Sequence, residues 1–141
     1  MSRRRMREHI FTLLFQREFA QSDEIEERIQ LYFEQNPQIK DRQKEYILEE
    51  IQGMNEKLDK IDKILSKHSK GWAIERMSKV DLSILRVAIY EMYYREDIPK
   101  SVAINEAVEL AKKYSSDQAP SFINGILGNI ASSMEEDAYD E

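Results

Sequence analysis

An all-α fold, a compact bundle of about seven helices, is what this sequence predicts, and three observations lead there. Apolar residues recur at steps of three and four along most of the chain, and no segment qualifies as a strand. Only four Gly and three Pro punctuate 141 residues, whereas a β-rich protein would show more turn punctuation. Hydrophobic residues at 41% and charged residues at 34% supply a packed core under a charged surface rather than a disordered chain. The length suits one domain, taken as residues 1–134, with 135–141 as an acidic, frayed C-terminal tail.

From Arg3 to Ala20, Met6, Ile10, Leu13 and Leu14 form one apolar stripe, with Phe11, Phe15 and Phe19 on an adjoining one, the pattern of an amphipathic helix. Ser22-Asp23 is a cap signal for a shorter second helix carrying Ile25, Ile29, Tyr32 and Phe33, which should stop before Asn36-Pro37. Asp41 can cap a third segment. There Ile47, Ile51, Met54, Leu58, Ile61 and Leu65 alternate steps of four and three, so one long helix with a continuous seam is expected, packed antiparallel within a bundle. Gly53 inside it costs about 1 kcal/mol against Ala, which that seam outweighs.

Ser69-Lys70-Gly71 interrupts the pattern and Trp72 opens a short turn before Ser78. VDLSILRVAIYEMYY has apolar residues on nearly every face, the mark of a central helix, with Arg86 and Glu91 as its notable charges. Pro99 breaks the chain. Ser101 should cap a sixth helix through Lys113, and Ser115-Ser116-Asp117 make a further cap region with Pro120 tolerated in the first turn of a last helix running to about Met134.

Composition excludes several chemistries. Without cysteine there are no disulfides, thiolate zinc sites or thiol nucleophiles, and nothing points to secretion. No apolar run approaches the roughly 20 residues of a membrane span, so a cytoplasmic protein without membrane contact is expected. His9 and His68 sit in different segments without a third ligand at metal spacing and are expected at the surface or its boundary. No cofactor, metal or catalytic constellation is expected. Small residues at Gly125 and Gly128 fit close helix approach better than a phosphate loop.

Charge is uneven. The net charge is −6, yet residues 1–7 carry Arg3, Arg4, Arg5 and Arg7 without an acid, while 134–141 carries five acids without a base. If the arginines lie in the first helical turns, Arg3 and Arg7 share a face and Arg4 and Arg5 fan to the sides. Crowded beside a positive helix end, they call for anions, and phosphate matches guanidinium forks. A solvated N-terminal tail is the alternative.

Taken in order, RRRMREHIFTLLFQ, VDLSILRVAIYE and IPKSVAINEAVELAKKYSSDQAPSFINGIL resemble the NusB family of bacterial transcription antitermination factors over essentially the whole chain. The resemblance implies two packed three-helix bundles with extra turns and a protein that acts without catalysis. It implies pairing with NusE, a small-subunit ribosomal protein, and binding of single-stranded boxA RNA in ribosomal RNA leader transcripts. With RNA polymerase and other Nus factors, the pair suppresses premature termination.

The family's basic first helix maps onto Arg3, Arg4, Arg5 and Arg7, and Gln118 and Phe122 fall on its RNA side; an acid is common in the family where Gln118 stands. Phe122 reads either as core or as a stacking ring for a base. Glu75 to Asp81, with Arg76, falls on the partner side, so an acidic protein could hold a basic ribosomal protein there while its arginines hold RNA. Asn105 and Asn124 read as buried amides fixing the register of the last helices, with base reading by Asn124 as the alternative, and Gly125 as a point of close approach for a helix or an RNA strand. A pure interaction module, such as a homodimer without RNA binding of its own, is a second reading. Similar domains also precede RNA cytosine methyltransferases, but this chain ends before such a catalytic domain could begin.

Overall fold

The structure, a computed structural model, describes residues 1–140 and the side chains of residues 1–136. Among the described residues it holds seven α-helices, one 3-10 turn and no strand. Two compact units divide the chain, one spanning Met1–Glu56 and the other beginning at Lys57.

The first unit contains α1 (Arg3–Arg17), α2 (Ile25–Gln35) and α3 (Asp41–Glu56), with α1 packing on both others. The Ser2 hydroxyl oxygen caps α1 by accepting from the Arg5 N–H at 3.1 Å. Ile10, Phe11, Leu13 and Leu14 are buried as their spacing requires. The helix stops at Arg17, where turn bonds from Phe19 and Ala20 to the Gln16 and Arg17 carbonyls take over, and this leaves Phe19 exposed. Two expected caps are replaced. α2 begins after Glu24 without a side-chain cap bond, so Ser22-Asp23 does not serve. At α3 the Gln43 side chain reaches back to accept from the Lys40 N–H at 2.8 Å, one half of a capping box, and Asp41 lies inside the first turn.

The long third helix is in fact two. α3 ends at Glu56 and α4 (Leu58–His68) starts after Lys57, whose φ of −104° and ψ of 6° leave the helical range. The seam is shared out: Ile47, Ile51 and Met54 enter the core of the first unit, Ile61 and Leu65 that of the second, and Leu58 at the break is only half-buried. Apolar spacing marks which residues face a core and is blind to which core they face. A one-residue break that keeps the period therefore leaves no trace in it.

In the second unit α4, the 3-10 turn Ile74–Arg76, α5 (Lys79–Tyr94), α6 (Lys100–Tyr114) and α7 (Ala119–Asp140) follow. α5 is central, packing on α4, α6 and α7, and Leu82, Ile84, Leu85, Val87, Ala88, Ile89 and Met92 are all buried along it. Ser78 caps it, accepting from the Asp81 N–H at 3.0 Å. Arg86 forks onto Asp62 of α4 through Nε at 3.0 Å and Nη2 at 2.9 Å, a bidentate pair whose two side chains are 11% and 28% exposed, so it ties α5 to α4 in a largely desolvated setting.

α6 begins at Lys100 after Pro99, without a side-chain cap bond, so Ser101 lies in the first turn instead of capping it. α7 continues its helical backbone to Asp140, six residues past the expected end. The expectation of a frayed acidic tail rests partly on side chains from residue 137 on and on Glu141, which lie outside the described residues.

Candidate nucleic-acid interface

Arg3, Arg4 and Arg5 occupy the first turn of α1, which holds no acid, and all three are exposed. They stand where the helix dipole is positive, an arrangement that favours a bound anion. Arg5 is partly engaged: its Nη1 lies 2.6 Å from Glu8 Oε2. Arg7 differs from the rest, being only 7% exposed. The basic surface is thus carried by the first turn, and the shared i, i+4 face of Arg3 and Arg7 runs from solvent into the core.

His9 lies one turn beyond Arg5 and is 1% exposed, not at the surface as its polarity suggested. The Tyr32 hydroxyl is hydrogen-bonded to its Nδ1 and the two rings meet edge-on. Nε2 finds no partner among the described residues. Burial, then the charge of Arg5, push its pKa below the ordinary 6.5, with Glu8 opposing. The folded protein therefore binds fewer protons than the unfolded chain at mildly acidic pH, and the stability tied to neutral His9 is present above 6.5 and lost as pH falls through the depressed folded value. Unfolding measured from pH 7.5 downward should show the parent losing stability faster than His9→Gln, because the carboxylates common to both cancel in the comparison.

In the second unit, Trp72, Arg76, Asp81, Ser116, Gln118 and Phe122 line a cleft of about 190 Å³. Its walls come from Trp72 before the 3-10 turn, Arg76 at the end of that turn, the start of α5, and the loop leading into α7 with that helix's first turn. Asp81 is fixed at both ends: its N–H is held by Ser78 and its Oδ1 accepts from the Ser115 hydroxyl at 2.6 Å. Phe122 is half-buried and meets the Trp72 ring edge-to-face, with centroids 5.7 Å apart and planes at 69°. Phe122 is thus neither fully core nor fully exposed: it packs against Trp72 and borders the cleft.

The arginines of α1 belong to the first unit, and Glu75, Arg76, Asp81, Gln118, Phe122 and Asn124 to the second. Within the second unit, Arg76 and Asp81, expected on the partner side, share one cleft with Gln118 and Phe122, expected on the RNA side. Glu75 is exposed in the 3-10 turn and does not line the cleft; nor does Asn124. Asn105 and Asn124 are both exposed, which overturns their reading as buried register-fixing amides.

Gly125 is exposed, and a Cβ there or at Gly128 would meet nothing within 4 Å, so neither glycine serves close helix packing. An exposed helical glycine forfeits about 1 kcal/mol against alanine with no packing reason to offset it. Sequence reasoning missed Trp72: its one signal was a lone tryptophan after Ser-Lys-Gly, outside any periodic apolar seam.

Residues 4–132 match the family model described as the NusB family. The chain belongs to the NusB family. A relative described as transcription antitermination protein NusB, from Lachnoclostridium phytofermentans, is 47% identical over 130 residues, covering 92% of this chain and 98% of the relative. Among solved structures, T. maritima NusB superposes with a TM-score of 0.79 at 38% identity, over 94% of this chain and 92% of its own. A chain in the crystal structure of antitermination factors NusB and NusE in complex with dsRNA gives a TM-score of 0.78 at 23% identity, over 94% and 99%, a likeness of fold. In this NusB-family protein, no group of three or more His, Asp or Glu among the described residues could hold a metal ion. No helix among them is long and apolar enough to cross a membrane.

Proposed function

We propose that this NusB-family protein is a non-catalytic transcription antitermination factor of the cytoplasm. It binds boxA-type single-stranded RNA of ribosomal RNA leaders, pairs with the ribosomal protein NusE, and joins RNA polymerase with other Nus factors. The observation that carries the reading is the family match across residues 4–132, supported by near-full-length identity to an antitermination protein. On the RNA side the candidates are Arg3, Arg4, Arg5 and Arg7 with Gln118, Phe122 and Asn124, among which the exposed Arg3 and Arg4 are the natural phosphate ligands. On the partner side they are Glu75, Arg76 and Asp81. A chain of net charge −6 suits this division of labour: its acidic surface attracts a basic ribosomal protein while the arginines concentrated on one helical turn hold polyanion.

The test is a titration of boxA RNA with and without NusE. The partner should tighten RNA binding, and by linkage RNA should tighten partner binding by the same factor. RNA affinity indifferent to NusE would overturn the pairing.

A further inference from the structure

The cleft of the second unit has an investment in one residue that its family reading does not account for. Trp72, the only tryptophan of the chain, is 55% exposed. It is held there by an unusual turn: Lys70 and Gly71 take consecutive positive φ values of 49° and 89°, and a non-glycine residue in that region costs on the order of 1 kcal/mol or more. Ser69, 4% exposed, locks the turn by donating its hydroxyl hydrogen to the Trp72 carbonyl oxygen at 2.7 Å. Strain of this kind persists only where the surrounding contacts over-determine it. The outcome here is a large ring kept half in water, squared against Phe122.

Because the rings meet edge-to-face at 69°, nothing slides between them. They form a corner in the lining of the cleft. About 190 Å³ is below the range of a drug-sized pocket, ~300–1,000 Å³, so the corner suits one ring system rather than a docked helix. Its remaining lining is mixed: Met77 and Ala119 extend the apolar wall, and Arg76, Ser78, Asp81, Ser116 and Gln118 supply polar groups. Arg76 is exposed and has no ion pair among the described residues. A flat apolar wall beside polar edges complements a nucleobase, and an uncommitted guanidinium at its mouth complements the adjoining phosphate. Three residues along α7 from Phe122, the open surface over Gly125 leaves room for the next stretch of backbone.

We propose that Trp72 and Phe122 form a stacking corner that seats one nucleotide of the bound RNA, with Arg76 on its phosphate. This rests on the RNA-binding reading and adds Trp72 and Arg76 to it; Arg76 thereby moves from the partner side to the RNA side.

The single tryptophan makes the corner its own reporter. A single-stranded boxA RNA titrated into the full chain should quench tryptophan emission, with a midpoint equal to that from the anisotropy of labelled RNA. Trp72→Ala should weaken RNA binding by roughly 5- to 150-fold, the span for loss of one base–aromatic stack. Its salt dependence should not change, because no charge is lost. Trp72→Phe should retain most of the affinity, and unchanged far-UV dichroism in both variants shows that the exposed site is not needed for folding. RNA binding without quenching, together with parental affinity in Trp72→Ala, would overturn the corner while leaving RNA binding intact. Quenching by NusE alone, with loss of only partner affinity in Trp72→Ala, would assign the cleft to the protein partner and equally overturn it. Absence of RNA binding by the parent at any salt would remove both readings together.

Discussion

Leu85→Ala is expected to lower the unfolding free energy by about 2–5 kcal/mol, the range for truncating a buried leucine where the surroundings collapse only partly. Leu85 is fully buried, at 0% exposure, on a helix of the second unit that packs against three others. Neighbours on several sides cannot all move inward at once, which places the cost toward the upper part of that range. Denaturant unfolding reads it as a lower midpoint at unchanged slope. Leu48→Ala is the internal control: Leu48 is 41% exposed, and a surface truncation should stay within about 0.5 kcal/mol.

Replacing both Arg3 and Arg4 by alanine should weaken RNA binding by about 25-fold at 0.1 M salt. Each phosphate contact to a single strand contributes about 0.7 to the log–log salt slope, so two contacts carry about 1.4 log units per decade of salt below 1 M. Arg3 and Arg4 are the informative pair because both are exposed on the acid-free first turn. Arg7 by contrast is buried, so truncating it would disturb packing as well as RNA contact. The Ser2 cap is untouched, and alanine is the best helix former, so α1 should persist in the variant.

How much of this was legible in the sequence follows from what each residue's neighbours are. α5 was read correctly because an all-round apolar helix has one physical solution, full burial. The division between α3 and α4 was not, since the apolar period runs unbroken through Lys57 while the cores on either side differ. Ser78, directly before α5, caps it, but the caps expected from the sequence were others. They were misread where backbone or a reach-back from Gln43 does the work. His9 looked like a surface residue because its burial depends on Tyr32, 23 positions away, which no local pattern encodes.

The site divides in the same way. The arginine cluster is contiguous in sequence and was visible at once. The cleft draws Trp72, Asp81 and Phe122 from three separate segments, so only the fold could assemble it. Asn105 and Asn124 were assigned to the interior because polar residues in apolar runs suggest buried networks. Their exposure removes that reason, and exposed Asn124 with open Gly125 leaves this stretch of α7 as surface available for contact.

The central claim is that a basic helical turn on an acidic helical protein captures RNA through phosphate. The most direct measurement is the salt dependence of boxA RNA affinity for the parent and for the Arg3→Ala, Arg4→Ala variant, taken side by side. The account predicts a log–log slope shallower by about 1.4 in the variant, with the two lines converging near 1 M salt. Parallel lines of equal affinity would contradict it, because the arginines would then make no contact with the RNA.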